Sequence, residues 1–391
     1  MIDNNFVLTT GKTLAALTVP GTLELSMLTI GSLLYKNKTR EVPDRALARL
    51  AIVVPAHNES ASIGDCIRSL QRCDGFQTLA TIFVVADNCS DDTAQVAREA
   101  GAQVLERRDD CLRGKGHALN FAFSRLVGRY FDGFVVVDAD SEVEPTFIRD
   151  FAVAFASGAQ SLQCPYLVSK PESAPLFDLA LRAFNLVRPR GREIFRLSAG
   201  ILGNGFGLSR QVLERVPYTA DSVVEDLEYH IQLVDAGVRV EHLSTTCVRG
   251  AMPDSEAGRA SQRARWEGGR LRMILEKGPR LLGKVLTGRL RHLELLLELL
   301  TFPLAFHAML LIASAVLVQS SLSIFGLVAL AMHVAAAIQA GPSLRGDLKT
   351  LLRVPGYLVW KIMQLPGIMR ASGRTTAWVR TARSSEGAAN A

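Results

Sequence analysis

Charge is missing from one long stretch of this 391-residue chain: the 46 residues from Leu299 to Leu344 include no Asp, Glu, Lys or Arg. A water-facing surface cannot be made from such a run, which excludes a simple cytosolic protein. Cysteine pairing is missing as well. Cys66, Cys73, Cys89, Cys111, Cys164 and Cys247 form no C-x-x-C pair and match no zinc knuckle or ribbon, so they read as reduced thiols of a cytosol-facing domain. Aromatic residues make up only 7% of the chain and do not interleave with basic clusters, which excludes a base-stacking nucleic-acid surface. The net charge of +6 is then left to anionic lipid or a phosphorylated substrate. No G-x-G-x-x-G turn follows the first apolar strand, where a dehydrogenase would need one. With 48% hydrophobic and 21% charged residues, a disordered chain is excluded too.

What is present falls into membrane-like and soluble-like segments. Residues 13–35 hold Glu24 as their only charge, between Lys12 and Lys36. Their length suits a crossing of about 20 residues, while Glu24 and Pro20 weaken it, so an anchor and a helix lying in the interface both stay open. Residues 301–319 and 322–340 predict a transmembrane hairpin, with a buried helix pair of a soluble protein as the competing reading. Residues 351–369, with Arg353, Lys361 and two prolines, fit an interfacial helix better than a further crossing. The last 51 residues have eight Lys or Arg against two Asp or Glu, which puts them on the cytosolic side.

Between these segments the pattern changes. LAIVVPA, TIFVVAD, AQVLER and GFVVVDAD are short apolar runs without alternation, separated by helical stretches such as SIGDCIRSLQ, TAQVAREAG and GKGHALNFAFSRLV. Such runs predict a mostly parallel sheet covered on both faces, with ligands at the carboxyl ends of its strands.

Five short motifs then fall in order: VVPAHNE at 53–59, VADNCSDD at 85–92, VVVDADS at 135–141, VVED at 223–226 and QRARW at 262–266. Asp138 and Asp140 follow a strand two residues apart, a spacing that turns both carboxylates toward one divalent ion; a polar helix-capping turn is the plain alternative. Lys115 and His117 open a helix whose free N–H groups favour anions, though a solvated lysine would look the same. Glu225 and Asp226 open another helix. The helix dipole alone favours acids there, and a carboxylate so placed can also take an acceptor's proton. Gln262, Arg265 and Trp266, at i, i+3 and i+4, share one side of a helix and suit a diphosphate and a sugar ring. Arg259, Arg263, Arg270 and Arg272 on the same helix suit lipid headgroups.

With these motifs in this order, the chain resembles the family 2 membrane glycosyltransferases, the broad group that includes cellulose, chitin and hyaluronan synthases. The resemblance implies an α/β fold: a Rossmann-like GT-A nucleotide-sugar transferase domain with flanking transmembrane or interfacial helices. Residues 1–36 would be an anchor or interfacial helix and 37–289 the cytosolic transferase domain. Residues 290–345 would be an amphipathic approach and transmembrane hairpin, and 346–391 a basic interfacial helix and cytosolic tail.

The same resemblance implies roles for individual residues. Pro55, Ala56 and Glu59 would line the nucleotide, Asp87 would read the uracil ring, and Lys115 would lie near the nucleotide. Asp138 and Asp140 would hold Mg²⁺ or Mn²⁺, Asp140 more directly. Asp226 would be the catalytic base, with Glu225 orienting it or the acceptor. Arg265 would meet the diphosphate, with Gln262 and Trp266 beside the donor and acceptor, and GNGFG at 203–207 would flank the acceptor. His57 reads as a lining or capping group, and Asp91 and Asp92 as turn residues.

The expected activity is inverting, metal-dependent transfer of a sugar from a nucleotide sugar, a UDP-sugar first, to a lipid-linked or membrane-associated saccharide. The setting is the cytoplasmic face of the inner membrane. Expected partners are the donor, a lipid-linked or polysaccharide acceptor, membrane lipids, and export or polymerisation subunits, with no nucleic acid. A processive polysaccharide synthase and a catalytically inactive membrane scaffold are the competing readings.

Overall fold

The computed structural model describes residues 4–37, 39–252 and 256–373, with the side chains of residues 256 and 257 left aside. By contact, the described residues form two units. One gathers Lys36–Pro171 and Ser198–Gln262; the other gathers residues 4–35, Glu172–Leu197 and residues 263–373.

The first unit is built on a seven-stranded sheet in the order β3-β2-β1-β4-β8-β6-β9. Its strands are β1 (Leu50–Ala56), β2 (Ala80–Asp87), β3 (Gln103–Arg107), β4 (Gly133–Val136), β6 (Ser161–Gln163), β8 (Phe206–Ser209) and β9 (Val240–His242). A second, three-stranded sheet joins β5 (Ser141–Val143), β10 (Val248–Gly250) and β7 (Tyr166–Val168). Strands β1 to β4 of the large sheet run parallel, and β8 is antiparallel to both of its neighbours.

The apolar runs are continuous because both faces of the sheet are covered. On β1, Leu50, Ile52 and Val54 join one core with Ile63, Ile67, Phe147 and Phe151. Ala51 and Val53 point the other way, into a core with Leu119, Phe123, Phe134 and Tyr229. Period-two alternation thus fills two cores from one strand.

The second unit is helical. Its amino-terminal helix, Asn4–Leu34, has 31 residues, longer at the front than residues 13–35 alone suggest. It and Ser321–Gln339 are long and apolar enough to cross a membrane. The segment predicted as the first arm of the hairpin differs from expectation. Leu304–Val318 has 15 residues, about 22 Å of helix, and meets Leu290–Leu300 at a 76° bend. Pro303, just before the new helix, forbids continuation of the ladder across the break. If that bent pair counts as one span, the described residues offer three crossings. Val354–Met363 and Leu365–Ala371 are too short to cross, with Pro355 and Pro366 in their first turns. The basic stretch from residue 374 lies outside the described residues.

A polar seam ties the amino-terminal helix to its neighbours. Ser314 Oγ donates to Gly11 O (2.7 Å), Thr22 Oγ1 meets His307 Nε2 (3.1 Å) and Thr29 Oγ1 meets His333 Nδ1 (2.8 Å). Glu24, the lone charge that weakened this segment as a span, is buried against cations. Its carboxylate takes Arg188 at 3.0 Å and Arg192 at 2.8 Å, and Arg192 reaches on to Glu298 at 2.9 Å. The hydroxyl of Thr301 donates to the same carboxylate.

Both arginines stand on Arg188–Ile194, so residues 172–197 belong with the helices rather than with the sheet between whose strands they run. Arg182 fixes the same segment a second time, bonding Asp178 at 2.9 Å and Asp347 at 2.6 Å.

Removing one side of a buried pair strands the other, at a cost of about 3–5 kcal/mol. Glu24→Leu should therefore unfold at a clearly lower temperature than the parent chain in the same detergent, although leucine suits lipid better. An unchanged midpoint would mean that water or lipid already satisfies Arg188 and Arg192.

Candidate active site

The parallel strands deliver their polar termini to one edge. Ala56 of β1 lies opposite Ala86 of β2, and Val53 opposite Val136 of β4, so the residues just beyond them are neighbours. Pro55 and Ala56 stand at this edge as the sequence suggests. Asn58 and Asn88 follow β1 and β2 with φ of 54° and 52°, a left-handed turn that asparagine tolerates. Their amides lace the edge: Asn58 Oδ1 accepts from Ser90 N (2.8 Å), and Asn88 Oδ1 from Asp109 N (2.8 Å). Glu59 has a local task, accepting the Ser62 hydroxyl at 2.8 Å where the next helix begins. Asp91 takes the N–H and hydroxyl of Thr93, the turn role expected of it.

Asp87 closes β2 and is buried. Arg107, directly opposite on β3, donates to its Oδ1 at 2.6 Å and is buried with it. The same guanidinium reaches Asp109 at 3.2 Å. His57 Nδ1 lies 2.7 Å from Asp87 O, which makes it a lining group that ties β1 to β2. Arg107 was not among the sequence candidates. Its signal was a charge ending a strand otherwise read only for its apolar run.

Lys115 occupies the middle of the edge, at the start of the helix Lys115–Leu126. Its Nζ donates to Asp138 and, at 2.6 Å, to Gly203 O. Burial disfavours its charge, but Asp138, Glu225 and Asp226 outweigh burial and hold its pKa above the ordinary value. The loop that offers Gly203 O is pinned beneath the Asp138 turn. Asn204 Oδ1 accepts from Asp138 N (3.1 Å), and its Nδ2 donates to Ser141 Oγ (2.9 Å). Gln163, fully buried on β6, donates to Asn204 O (2.7 Å) and accepts from Leu202 N (2.8 Å). Asn204 lies in the GNGFG motif, though its bond to the Asp138 turn was not legible there, and Gln163 sits in no recognisable spacing. Gly203, at φ 80°, needs no side chain, and a Cβ there would stand 3.2 Å from Asp226 Oδ2.

Glu225 and Asp226 open the helix Glu225–Asp235, half-buried. Asp226 Oδ1 accepts from Leu227 N at 2.8 Å. Gly116 lets the lysine helix close on this turn, because a Cβ there would collide with Ala220 O and stand 3.3 Å from Glu225 Cβ. Desolvation, then the neighbouring Asp226, pushes Glu225 up to about 8. Asp226 is raised as well, again by desolvation first, against the Leu227 hydrogen bond and Lys115. The pair therefore holds a proton at pH 7.

Among the described residues, no group of three or more His, Cys, Asp or Glu side chains is arranged to hold a metal. The donors present are Asp138 and half-buried Asp140. Two carboxylates fit Mg²⁺ or Mn²⁺ when substrate phosphate oxygens complete the shell. Gln262, Arg265 and Trp266 lie half-buried on the helix Glu256–Leu286, and the division between the units falls between Gln262 and Arg263. The first unit carries Pro55, Ala56, Glu59, Asp87 and Asp140 on its strand ends and loops and brings Lys115, Asp138, Glu225 and Asp226 together. In the second, Trp266 stacks on Phe177 with ring centroids 6.2 Å apart.

A family model described as "Glycosyltransferase like family 2" matches residues 48–269. The chain is 22% identical over 259 residues to the "Probable glycosyltransferase YdaM" of Bacillus subtilis (strain 168), covering 62% of this chain and 61% of that one. It is 29% identical over 168 residues to the 4,4'-diaponeurosporenoate glycosyltransferase of Staphylococcus aureus (strain N315), covering 41% of each. The matches thus span less than two thirds of these relatives' lengths. Among solved structures, the mannosyltransferase PcManGT from Pyrobaculum calidifontis, in complex with GDP-Man and Mn²⁺, superposes with a TM-score of 0.56 at 16% identity. That likeness covers 94% of this chain and 97% of the other, and it makes the fold a GT-A-like α/β transferase fold with flanking helices.

The raised carboxyl has a consequence for stability. From the ordinary carboxylate value of 4.5 up to about 8, folded Glu225 keeps a proton that the unfolded chain has released. Stability therefore falls as pH rises through that window. Glu225→Gln should flatten the slope and raise the unfolding midpoint at pH 8 relative to the parent. If the slope persists in the glutamine variant, the proton resides on another group, with Asp226 first.

Proposed function

We propose that this chain, which belongs to the glycosyltransferase like family 2, transfers a sugar from a nucleotide sugar to a lipid-linked or membrane-associated saccharide, inverting the anomeric centre. The observation that supports this reading best is the convergence of Asp138, Lys115, Glu225 and Asp226 at one sheet edge inside the matched span. Asp87, steadied by Arg107, would accept the ring N–H of a uracil, which favours a UDP-sugar. Lys115 would pair with phosphate oxygens. Bound through Asp138, Asp140 and the diphosphate, Mg²⁺ or Mn²⁺ would supply the charge that stabilises the departing nucleoside diphosphate. For Arg265 and Trp266 the QRARW motif alone supports a role, a charge for the diphosphate and a flat face for a sugar.

Asp226 would take the proton of the attacking hydroxyl, and a raised pKa suits a base working near neutral pH. Glu225, protonated beside it, would hold Asp226 or the acceptor in place. Direct displacement needs no carboxylate nucleophile and no covalent intermediate, unlike a retaining glycosidase.

The spanning helices favour an acceptor held at the membrane. Single-sugar addition is preferred to processive synthesis because a polymer channel draws on more helices than the three at most that the described residues offer. Kinship with the cellulose, chitin and hyaluronan synthase group would then be one of chemistry rather than of export. The reading places the first unit in the cytosol, under the inner membrane, with the amino terminus outside.

Membranes containing the protein, supplied with a panel of UDP- and GDP-sugars and a lipid extract, should yield one glycosylated product by mass and none with excess EDTA. Asp226→Asn should keep nucleotide binding while the bound-state transfer rate falls roughly 10²–10⁴-fold. A variant that loses affinity but keeps its rate would make Asp226 a positioning group and move the base to Glu225.

Orientation has its own test. In intact cells, a membrane-impermeant thiol reagent should label Ser321→Cys, at the turn between the hairpin helices, and leave Leu352→Cys unlabelled. Labelling at Leu352 would reverse or abolish the proposed topology.

A further inference from the structure

Lys115 does two things at once. Its ammonium bonds Asp138, one of the two carboxylates suited to a divalent ion, and it bonds Gly203 O, on the loop beside Asp226. The pair is partly open to solvent, with side-chain exposures of 21% and 30%. A lysine stem with four rotatable carbons can leave such a position without disturbing the helix that bears it. An ammonium and a divalent ion cannot share one carboxylate oxygen without strong repulsion. Asp226 adds further negative charge beside the ammonium, so removing that cation alone is unfavourable as well.

We propose that Lys115 is a resident stand-in for the divalent ion, which holds Asp138 until a nucleoside diphosphate arrives and gives the lysine a new partner. This rests on the donor reading above. The diphosphate brings enough acceptor oxygens for both cations, so Lys115 moves to phosphate as Asp138 turns to the metal. Metal and nucleotide then load together, and the metal alone binds poorly. Because the same ammonium also bonds Gly203 O, its departure releases one contact of the loop beside Asp226, while the Asn204 and Gln163 bonds keep the loop in place.

Full-length protein in detergent can be titrated with Mn²⁺ while the electron paramagnetic resonance signal of the free ion is followed, with and without saturating UDP or GDP. In the parent protein, nucleotide should tighten Mn²⁺ binding by about 5–150-fold, the usual range of coupling between sites. Lys115→Met should bind Mn²⁺ without nucleotide several-fold more tightly than the parent and lose most of that coupling. Lys115→Arg, which keeps the charge, should retain the coupling. Asp138→Asn added to Lys115→Met should abolish the gain and so locate the ion.

Equal Mn²⁺ affinity with and without nucleotide in the parent, or undiminished coupling in Lys115→Met, would overturn the proposal. If neither nucleotide is retained by any variant at any Mn²⁺ concentration, the donor reading itself fails and takes this inference with it. Should Lys115→Met not fold, Lys115→Gln serves the same comparison.

Discussion

One ammonium holds the acidic edge of the sheet together. Asp138, Glu225 and Asp226 all act on Lys115, and Gly203 O completes its shell. Like charges about 4 Å apart repel by roughly 4 kcal/mol in a partly shielded protein environment. Without a cation among them, the charges that remain beside protonated Glu225 would drive their loops apart. With Lys115 there, three separate pieces of chain meet: the turn after β4, the glycine loop before β8 and the first turn of the helix Glu225–Asp235. Gly116, the next residue, permits this approach by leaving room for Ala220 O. The sequence GKG is thus a packing requirement and a charge requirement together.

The helical unit solves a similar problem by a different balance. Glu24 would be costly in a lipid-facing position, yet it is buried against Arg188 and Arg192 and joined by Thr301. Its neighbours on the same helix, Thr22 and Thr29, face histidines of the two hairpin helices. Interhelical polar bonds give direction where lipid removes most of the hydrophobic drive for association. The amino-terminal helix is therefore a member of a packed bundle. A passive anchor would have no use for Glu24.

Much of this was legible in the residues. Apolar runs without alternation gave β1, β2 and β4, because a doubly covered strand must be apolar on both faces. The polar residues that end those runs gave Pro55, Asp87, Asp138 and Asp140, because a parallel sheet presents all its strand ends on one edge. What escaped were long-range partners. Arg107 meets Asp87 only through the β2–β3 register, Asn204 meets the Asp138 turn only because β8 pairs with β4, and Gln163 reaches Asn204 only because β6 pairs with β8. Residues 172–197 escaped for the same reason. Arg188 and Arg192 find their counter-charge in Glu24, 164 and 168 residues away, a pairing no local pattern announces. The break before Leu304 was visible as Pro303, but composition alone could not say that the chain turns there by 76°.

Two adjacent carboxylates need not share one role, and their surroundings separate them. Glu225 is pressed from the lysine helix, its Cβ within 3.3 Å of where a side chain on Gly116 would begin. Burial and the neighbouring Asp226 push it up to about 8, which keeps it protonated at neutral pH and so a donor. Asp226 turns one oxygen to Leu227 N and the other toward Gly203, where the absence of a side chain leaves space. A group that must receive an incoming hydroxyl needs an accessible oxygen and a charge to spare. Under the proposed reading, the Asp226 oxygen on the Gly203 side would be that acceptor. The glycine at 203 then has two reasons to be glycine: its backbone stands at φ 80°, and the oxygen it faces must stay open.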